Sequence, residues 1–438
     1  MKKILFLTGA LLAVAVAAFG DDAPSASLTP GVDVILGVRS FPQEPNTSTT
    51  FQTLTLRPHV SWDQWYVQLD IPLNYQIVDS GGFALQLREA DWVPRGKQTY
   101  LDVYFPRIAT VQYGAPGEDV FLHLGSIEDV TLGNGFIVDQ YTNRLFAPYQ
   151  SQTGAMVSLR GPLFGLPSGG FDAVVGNLAA WDVIAARLHW APFESMGHPL
   201  FSPMEVGSTL AADRDPWYLA TRNPAGTPPG DTPEDTATTW GIDISLPVAR
   251  TPEFQATVYG DYILQNQRSG SMVGLETRFA RRFSLRGEAR YVQAHVVPQY
   301  FGALYDSRRA ELYRVWNREV SRPGGFGWLG GAGLQLLDDR FSLQTAVTGQ
   351  VGGGDDAAPD VQAALRYRGN VEIEARYDTF GVTGLSDFTD LKNTRIGVRT
   401  AIQSQSVEIS LSYNMVHDPL RPEDPWAMFA GLETRISY

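Results

Sequence analysis

Residues 238–264 read TTWGIDISLPVARTPEFQATVYGDYIL, and their pattern decides the fold class. Trp240, Ile242, Ile244, Leu246 and Val248 take alternate positions, with Gly241, Asp243, Ser245, Pro247 and Ala249 between them. Period 2 is strand periodicity, because successive side chains of a strand point to opposite faces. After a break at Ala249-Arg250-Thr251-Pro252 the alternation returns. Phe254, Ala256, Val258, Gly260, Tyr262 and Leu264 lie on one side, and Gln255, Thr257, Tyr259 and Asp261 on the other. Two strands of about ten residues joined by a tight turn make a hairpin that suits a soluble sandwich or a membrane barrel. The remainder of the chain separates these two.

The chain starts Met1-Lys2-Lys3, runs through ILFLTGALLAVAVAAF and turns acidic at Asp21-Asp22. Two lysines, an apolar run and small residues at Ala18 and Gly20 read as a secretory signal peptide over residues 1–20, leaving 21–438 as one domain. The competing reading is an uncleaved anchor. Past residue 20 no stretch reaches the ~18 uncharged apolar residues of a spanning helix, so a membrane form must be a closed barrel. Cysteine is absent, which removes disulfides, thiolate metal sites and Cys nucleophiles. With 44% hydrophobic and 11% aromatic residues, 43 Gly and a mean hydropathy of −0.13, the composition fits a barrel apolar outside and wet inside. Without Lys2 and Lys3 there are 32 basic against 47 acidic residues, a formal charge of −15, which argues against a nucleic-acid partner.

Further amphipathic strands start at GVDVILGVRSF and continue through TLTLRPHVSWDQWYVQLDIPLNYQI, where Trp62-Asp63-Gln64 makes a turn. TYLDVYFPRIATV and EDVFLHLG look like strands, whereas FALQLREADWVPRGK reads as a strand or an excursion. Residues 126–152 have Gly, Asn and Asp breaking any period and are too long for an idle connection. They read as a loop folded against or into the barrel mouth, a constriction loop carrying Glu128, Asp129 and Asp139, or as an exposed surface loop. In the second half, tight turns at 250, 280–282, 338–340, 368–370 and 403–405 alternate with longer loops at 265–270, 298–325, 352–358, 380–391 and 416–425. That alternation is the pattern of short periplasmic turns and long external loops. It predicts an all-β, single transmembrane antiparallel up-and-down β-barrel with an even strand number, about 18 to 20.

With the apolar faces in lipid, the opposite faces put Arg278, Arg286, Glu288, Arg290, Arg366, Glu372, Glu374, Arg376, Arg395, Arg399 and Glu408 on the lumen as pore-lining candidates. A charge on the lipid face would cost roughly 2 to 4 kcal/mol at midplane. Trp62, Trp65, Trp240, Trp328, Phe341, Tyr377 and Tyr438 fall at strand ends, where aromatic girdles belong. Residues 300–320 depart from period 2. Phe301, Leu304, Tyr305, Leu312, Val315, Trp316 and Val320 approximate a helical face in an external loop. That helix would be either a basic lid carrying Arg308, Arg309, Arg314 and Arg318 or a piece packed on the rim.

The signal peptide, the repeated amphipathic strands and the last strand, with Met428, Ala430, Leu432, Thr434, Ile436 and terminal Tyr438, resemble the Gram-negative outer-membrane β-barrel class. The resemblance implies an outer-membrane location, assembly by the barrel-assembly machinery and, as in many porins, a homotrimer. It implies a porin-like channel for passive diffusion of small hydrophilic solutes, with no cofactor. The alternatives are a surface adhesin or structural barrel acting through loops 213–237 and 298–325, or a substrate-specific transporter. A barrel enzyme is not supported, because His59 and Ser61 share a face without an acid to orient the imidazole. The GGGDD run at 352–356 lacks the spaced ligands of a calcium loop, and Gly133-Asn134-Gly135 is a turn signal outside any strand-loop-helix frame.

Overall fold

The computed structural model describes residues 28–438 apart from 43–47, 80–82, 148–150, 162–167, 220–235, 352–357, 385, 391–392 and 418–425. The signal-peptide reading, most of loop 213–237, the GGGDD run and most of loop 416–425 lie outside the described residues.

Twenty-two strand segments make one sheet. They are β1 Thr29–Pro42, β2 Ser48–Trp62, β3 Trp65–Leu69, β4 Ile71–Asp79, β5 Phe83–Leu87, β6 Ile108–Tyr113, β7 Val120–Gly125 and β8 Gly154–Arg160. There follow β9 Gly169–Val175, β10 Val183–Trp190, β11 Glu205–Asp213, β12 Ala237–Arg250, β13 Phe254–Gln265, β14 Arg268–Phe279 and β15 Phe283–Val292. The last are β16 Gly325–Leu336, β17 Phe341–Gln350, β18 Asp360–Arg368, β19 Val371–Thr379, β20 Thr394–Ser404, β21 Val407–His417 and β22 Trp426–Ser437. β3 and β4 both pair with β2 and are halves of one strand broken at Asp70. β5 pairs with β4 and β6 with β3, so these two share the next position. The segments therefore fill twenty positions. Each neighbouring pair is antiparallel, and β1 closes on β22 from Asp33↔Ser437 to Ser40↔Ala430. Closure with antiparallel pairing requires the even count.

The quoted stretch behaves as its period demands. Along β12 Trp240, Ile242 and Ile244 are exposed on the outside, while Thr239, Gly241 and Asp243 are buried inside. A bulge between Pro247 and Ala249 shifts the register before the turn at Arg250. Leu36, Val38, Val258, Val273, Leu275, Leu285, Ile402, Ile409 and Leu411 continue the exposed apolar surface around the wall. Trp62 and Trp65 stack at 5.9 Å across the turn between β2 and β3.

Two expectations need correcting and a third is sharpened. TYLDVYFP is no strand. Thr99 and Asp102 form a capping box that starts helix α1, Tyr100–Tyr104, and Pro106 follows, so pairing resumes only at Ile108. The connection at 265–270 is not long, since Asn266 and Gln267 alone join β13 to β14. Both have positive φ, 42° and 65°, as a two-residue hairpin turn requires. The helical reading of 300–320 is right in kind, with α2 spanning Tyr305–Trp316, and its end packs on the rim, where Trp316 donates to the carbonyl of Thr238 and, with Arg318, bonds the turn residue Asn266. Residues 296–315 pack inside the barrel. Val296, Tyr300, Phe301, Leu312 and Val315 form one buried cluster with Val130, Leu132, Phe136, Val138 and Tyr141 and with wall residues Val174, Ala185, Ala211, Ile263, Met272 and Val292. Each large apolar side chain so buried contributes roughly 1.5 to 3 kcal/mol. The lumen behind β9–β15 is therefore filled in part by a core.

Candidate functional site in the lumen

After Gly125 the chain leaves the wall and turns into the barrel. Val130 and Tyr141 exchange backbone hydrogen bonds of 3.0 and 2.9 Å, and Leu132 donates to the carbonyl of Val138, making a miniature hairpin. Its tip is Gly133-Asn134-Gly135, with φ of +61° and +82° at the glycines. A Cβ on Gly133 would also meet Asp243 Oδ2 at 3.0 Å, so both the bend and the close approach select glycine here. Its base is tied by Asn143, whose Oδ1 accepts from Ile127 N and whose Nδ2 donates to the carbonyl of Gly176.

This segment crosses the lumen. At one side Asn134 Nδ2 donates to Asp261 at 2.8 Å, and Arg286 Nη2 donates to the carbonyl of Asn134 at 2.6 Å. At the other side Arg376 of β19 pairs with Asp129 at 2.5 Å and donates to Gln140 at 2.9 Å, while Asn414 of β21 donates to the carbonyl of Leu145. Of the three acids expected on a constriction, Glu128 pairs with Arg144 and Asp129 with Arg376, and both are exposed to the lumen. Asp139 is buried. It accepts from Thr131 and Gln299, burial raises its carboxyl above the usual range, and it presents no carboxylate to open space.

Residues 299–301 extend the infolded hairpin. Gln299 N donates to the carbonyl of Phe136, Phe301 N to that of Ile137, and Asp139 N to that of Phe301. Helix α2 is then locked to the wall by Arg309, whose guanidinium reaches Asp182 at 2.8 Å and Asp213 at 2.5 Å, with side-chain exposures of 2%, 1% and 0%. Tyr305 donates to Asp213 as well. The remaining acid, Asp306, faces Arg309, Asp182 and Asp213 from the helix itself, and burial pushes its carboxyl up to about 7. Arg308 lies 3.8 Å over Phe380 and pairs with Glu311, so it is engaged like Arg309, whereas Arg314 stays half exposed beside Glu319.

All eleven charged residues proposed for the lumen stand on inward faces, because cross-strand partners share a face. They fall into two groups. Arg286, Glu288 and Arg290 of β15 are drawn under the infolded hairpin, Glu288 accepting from Tyr259, Arg286 and Arg290. Arg366–Glu374 at 2.8 Å, Arg399–Glu372 at 3.1 Å and Arg399–Glu408 at 2.5 Å form a ladder over β18–β21 that stays partly open to the lumen. The ladder continues across the closure through Arg435–Asp33 and Arg39–Glu433. Arg395 lies 3.9 Å from the buried Asp378, and Arg278 faces the lumen near the β14–β15 turn.

A third charged patch was not anticipated. Beneath residues 128–134 lies a cavity of about 680 Å³ whose wall carries Ser158, Arg160, Asp172, Arg187 and Glu205. Arg160 pairs with Asp172 at 3.0 Å and contacts His189 at 2.5 Å; Arg187 pairs with Glu205 at 2.8 Å and Asp243 at 2.6 Å. Gly170 stands between Arg160 and His189, and Gly207 between His189 and Asp243, in register. A Cβ there would come within 2.2 Å of His189 and 2.5 Å of Asp243, so glycine lets the charged side chains lie flat along the wall. The alternation of Gly with charge in GGFD, RLHW and EVGS carried the signal.

A closed antiparallel barrel with an apolar outside, an inner charge ladder and an infolded segment has the architecture of a membrane-spanning β-barrel. No family model and no curated protein matches the sequence. Solved structures similar to it include Pseudomonas aeruginosa OccK11 (OpdR), 8% identical over 94% of this chain and 95% of that one, with a TM-score of 0.37. Pseudomonas aeruginosa OccK2 (OpdF) in complex with glucuronate is 8% identical over 94% and 97%, TM-score 0.32. A mutant of Rh. blastica porin is 9% identical over 94% and 100%, TM-score 0.30. The strand pairing, not these scores, carries the fold.

Proposed function

We propose that the chain is an outer-membrane channel for passive diffusion of small hydrophilic solutes. The path runs along the charged wall of β18–β2, past the place where Arg376 holds the infolded segment through Asp129 and where Glu128 stays exposed. The observation that carries this reading is the division of the lumen. Apolar side chains pack the infolded chain against β9–β15, apart from the cavity of about 680 Å³ beside Arg187 and Glu205, while the β18–β21 wall keeps paired but partly exposed charges of both signs. Charges of both signs on a wetted wall hydrate polar solutes and repel apolar ones. Arg366, Glu372, Glu374, Arg399 and Glu408 would line the path, and Arg376 with Asp129 would set its selectivity. Lipid contacts the outer wall, and insertion proceeds through the barrel-assembly machinery, with a homotrimer as the expected assembly.

The test is a planar-bilayer recording of refolded protein. Ohmic conductance with selectivity that responds to Asp129→Asn supports the reading, and absence of conductance from correctly inserted protein rejects it.

A further inference from the structure

The wall of the barrel is interrupted at lipid depth. Leu36 of β1 lies in register with Leu54 of β2, and Leu54 with Leu73 of β4. Higher on β4, Tyr75 and Ile77 pair with Leu87 and Leu85 of β5, and Ile77, Leu85 and Leu87 are exposed. The apolar band thus continues onto β5. There it stops, because among the described residues β5 has a strand partner only in β4, and β6 resumes lower down, opposite Leu69. The next strand, β7, has six residues and reaches up only to Gly125, opposite Thr110. Six residues at about 3.4 Å each, tilted by ~40°, cover roughly 15 Å of an apolar band of ~25 Å.

Residues 88–107 fill the notch. Irregular backbone at that depth is tolerated where it is buried in protein or lines a cavity, and this segment is two-faced. Val93, Tyr100 and Leu101 are exposed, whereas Asp91, Trp92 and Val103 are buried. Asp91 accepts from the inward-facing Asn74 at 2.9 Å and pairs with Arg88. Arg107 lies 5.1 Å over Trp92 and donates to the carbonyls of Asp91 and Val103, with no carboxylate in salt-bridge range among the described residues. Asp102 is committed to Thr99 and Tyr218. Arg88, Asp91, Asp102 and Arg107, together with Gln98 and Thr153, line a cavity of about 80 Å³ behind the segment. The space is ample for a carboxylate.

We propose that this notch binds a single-chain anionic amphiphile from the bilayer. Its carboxylate enters the cavity between Arg88 and Arg107, and its chain lies outside against Leu87, Val93 and Leu101. Asp91 is taken by Arg88, and Asp102 by Thr99 and Tyr218, so the incoming carboxylate supplies the counter-charge that Arg107 lacks. The inference rests on the membrane reading of the outer wall and is independent of conduction.

The chain has no cysteine, so single labels are unambiguous. Tyr100→Cys at the notch and Leu285→Cys on the uninterrupted wall are each labelled with bimane in nanodiscs and quenched by 5-doxyl-stearate. Half-quenching is expected at a probe fraction at least tenfold lower at position 100 than at 285. The methyl ester of the probe, and Arg107→Gln in the same background, should erase the difference, while excess acetate should leave it. Equal quenching at the two positions, equal quenching by acid and ester, or displacement by acetate would each overturn the proposal. The ester comparison needs no arginine substitution and so holds even where Arg107→Gln impairs folding. Conductance of the same labelled protein reports on the channel separately, so a failure of one reading is distinguishable from a failure of the other.

Discussion

The inner wall of β9–β15 and the inner wall of β18–β2 are made of the same antiparallel ladder, yet they face different surroundings. Behind the first, Ile263, Met272 and Val292 meet Val130, Phe136, Tyr300 and Phe301, Glu288 and Arg290 are sealed as a pair, and only the patch around Arg187 and Glu205 keeps open space beside it. Behind the second, Arg366, Glu374 and Arg399 stay partly exposed and pair mainly with one another across strands. A barrel of twenty positions is wide enough to need filling, and here the filling is attached to one side. Infolded chain therefore sets the free cross-section, and its anchors are the places where the account is most easily broken.

The largest effect is expected at Arg309. Its replacement by alanine leaves Asp182 and Asp213 buried without their shared cation, and breaking such a pair typically costs about 3 to 5 kcal/mol. Residues 293–320 should then undock and become protease-sensitive, with a larger and noisier conductance. Unchanged proteolysis and conductance would show that apolar packing alone holds the helix. Next comes the wall itself. Ile244→Lys places a charge in lipid at a cost of roughly 2 to 4 kcal/mol, whereas Ser245→Lys places it in the lumen. Heat-modifiable mobility after refolding should fall for the first and not for the second, and equal yields would contradict the face assignment.

A smaller effect is expected from pH. Asp306 has its carboxyl raised to about 7 by burial, against about 3.9 in an unfolded chain, so between these values the docked state holds a proton that the undocked state has lost. Docking of α2 should weaken as pH rises from about 4 to 7 and level off above. Asp306→Asn should flatten the profile, read as protease resistance of residues 293–320 against pH. The smallest is Asp129→Asn, which removes a lumen-exposed negative charge while Arg376 keeps Asp378 at 2.7 Å, and should shift ion selectivity toward anions by a modest factor while leaving stability within about 1 kcal/mol.

The outer surface was legible in the sequence because a lipid face needs apolar residues at every second position, and Trp240 to Ile244 or Leu285 to Tyr291 supply them without exception from context. The inner charges were legible by the same parity. The interior filling was legible only in part. The lack of period in 126–152 marked a special loop, and the helical spacing from Phe301 to Val315 marked a helix, but neither pattern says which surface will cover it. That surface is made of Val174, Ala185, Ala211 and Ile263, inward residues whose apolar character runs against the simple rule of polar inside. The charged patch at Arg160, His189 and Arg187 was missed because its strands are short and rich in glycine, so no long alternation drew attention to them. The wall notch was hidden for a similar reason, since TYLDVYFP has a strand-like composition that the Thr99–Asp102 cap overrides.

The division of the lumen is tested most directly by thiol modification during single-channel recording. Glu374→Cys lies on the partly open wall, its native side chain 36% exposed, and Met272→Cys lies on the packed wall, where Met272 is 3% exposed. A charged methanethiosulfonate reagent should change the conductance of the first variant at once and leave the second unaltered. Rapid modification at 272 with no response at 374 would place the path on the other side of the barrel and contradict the account.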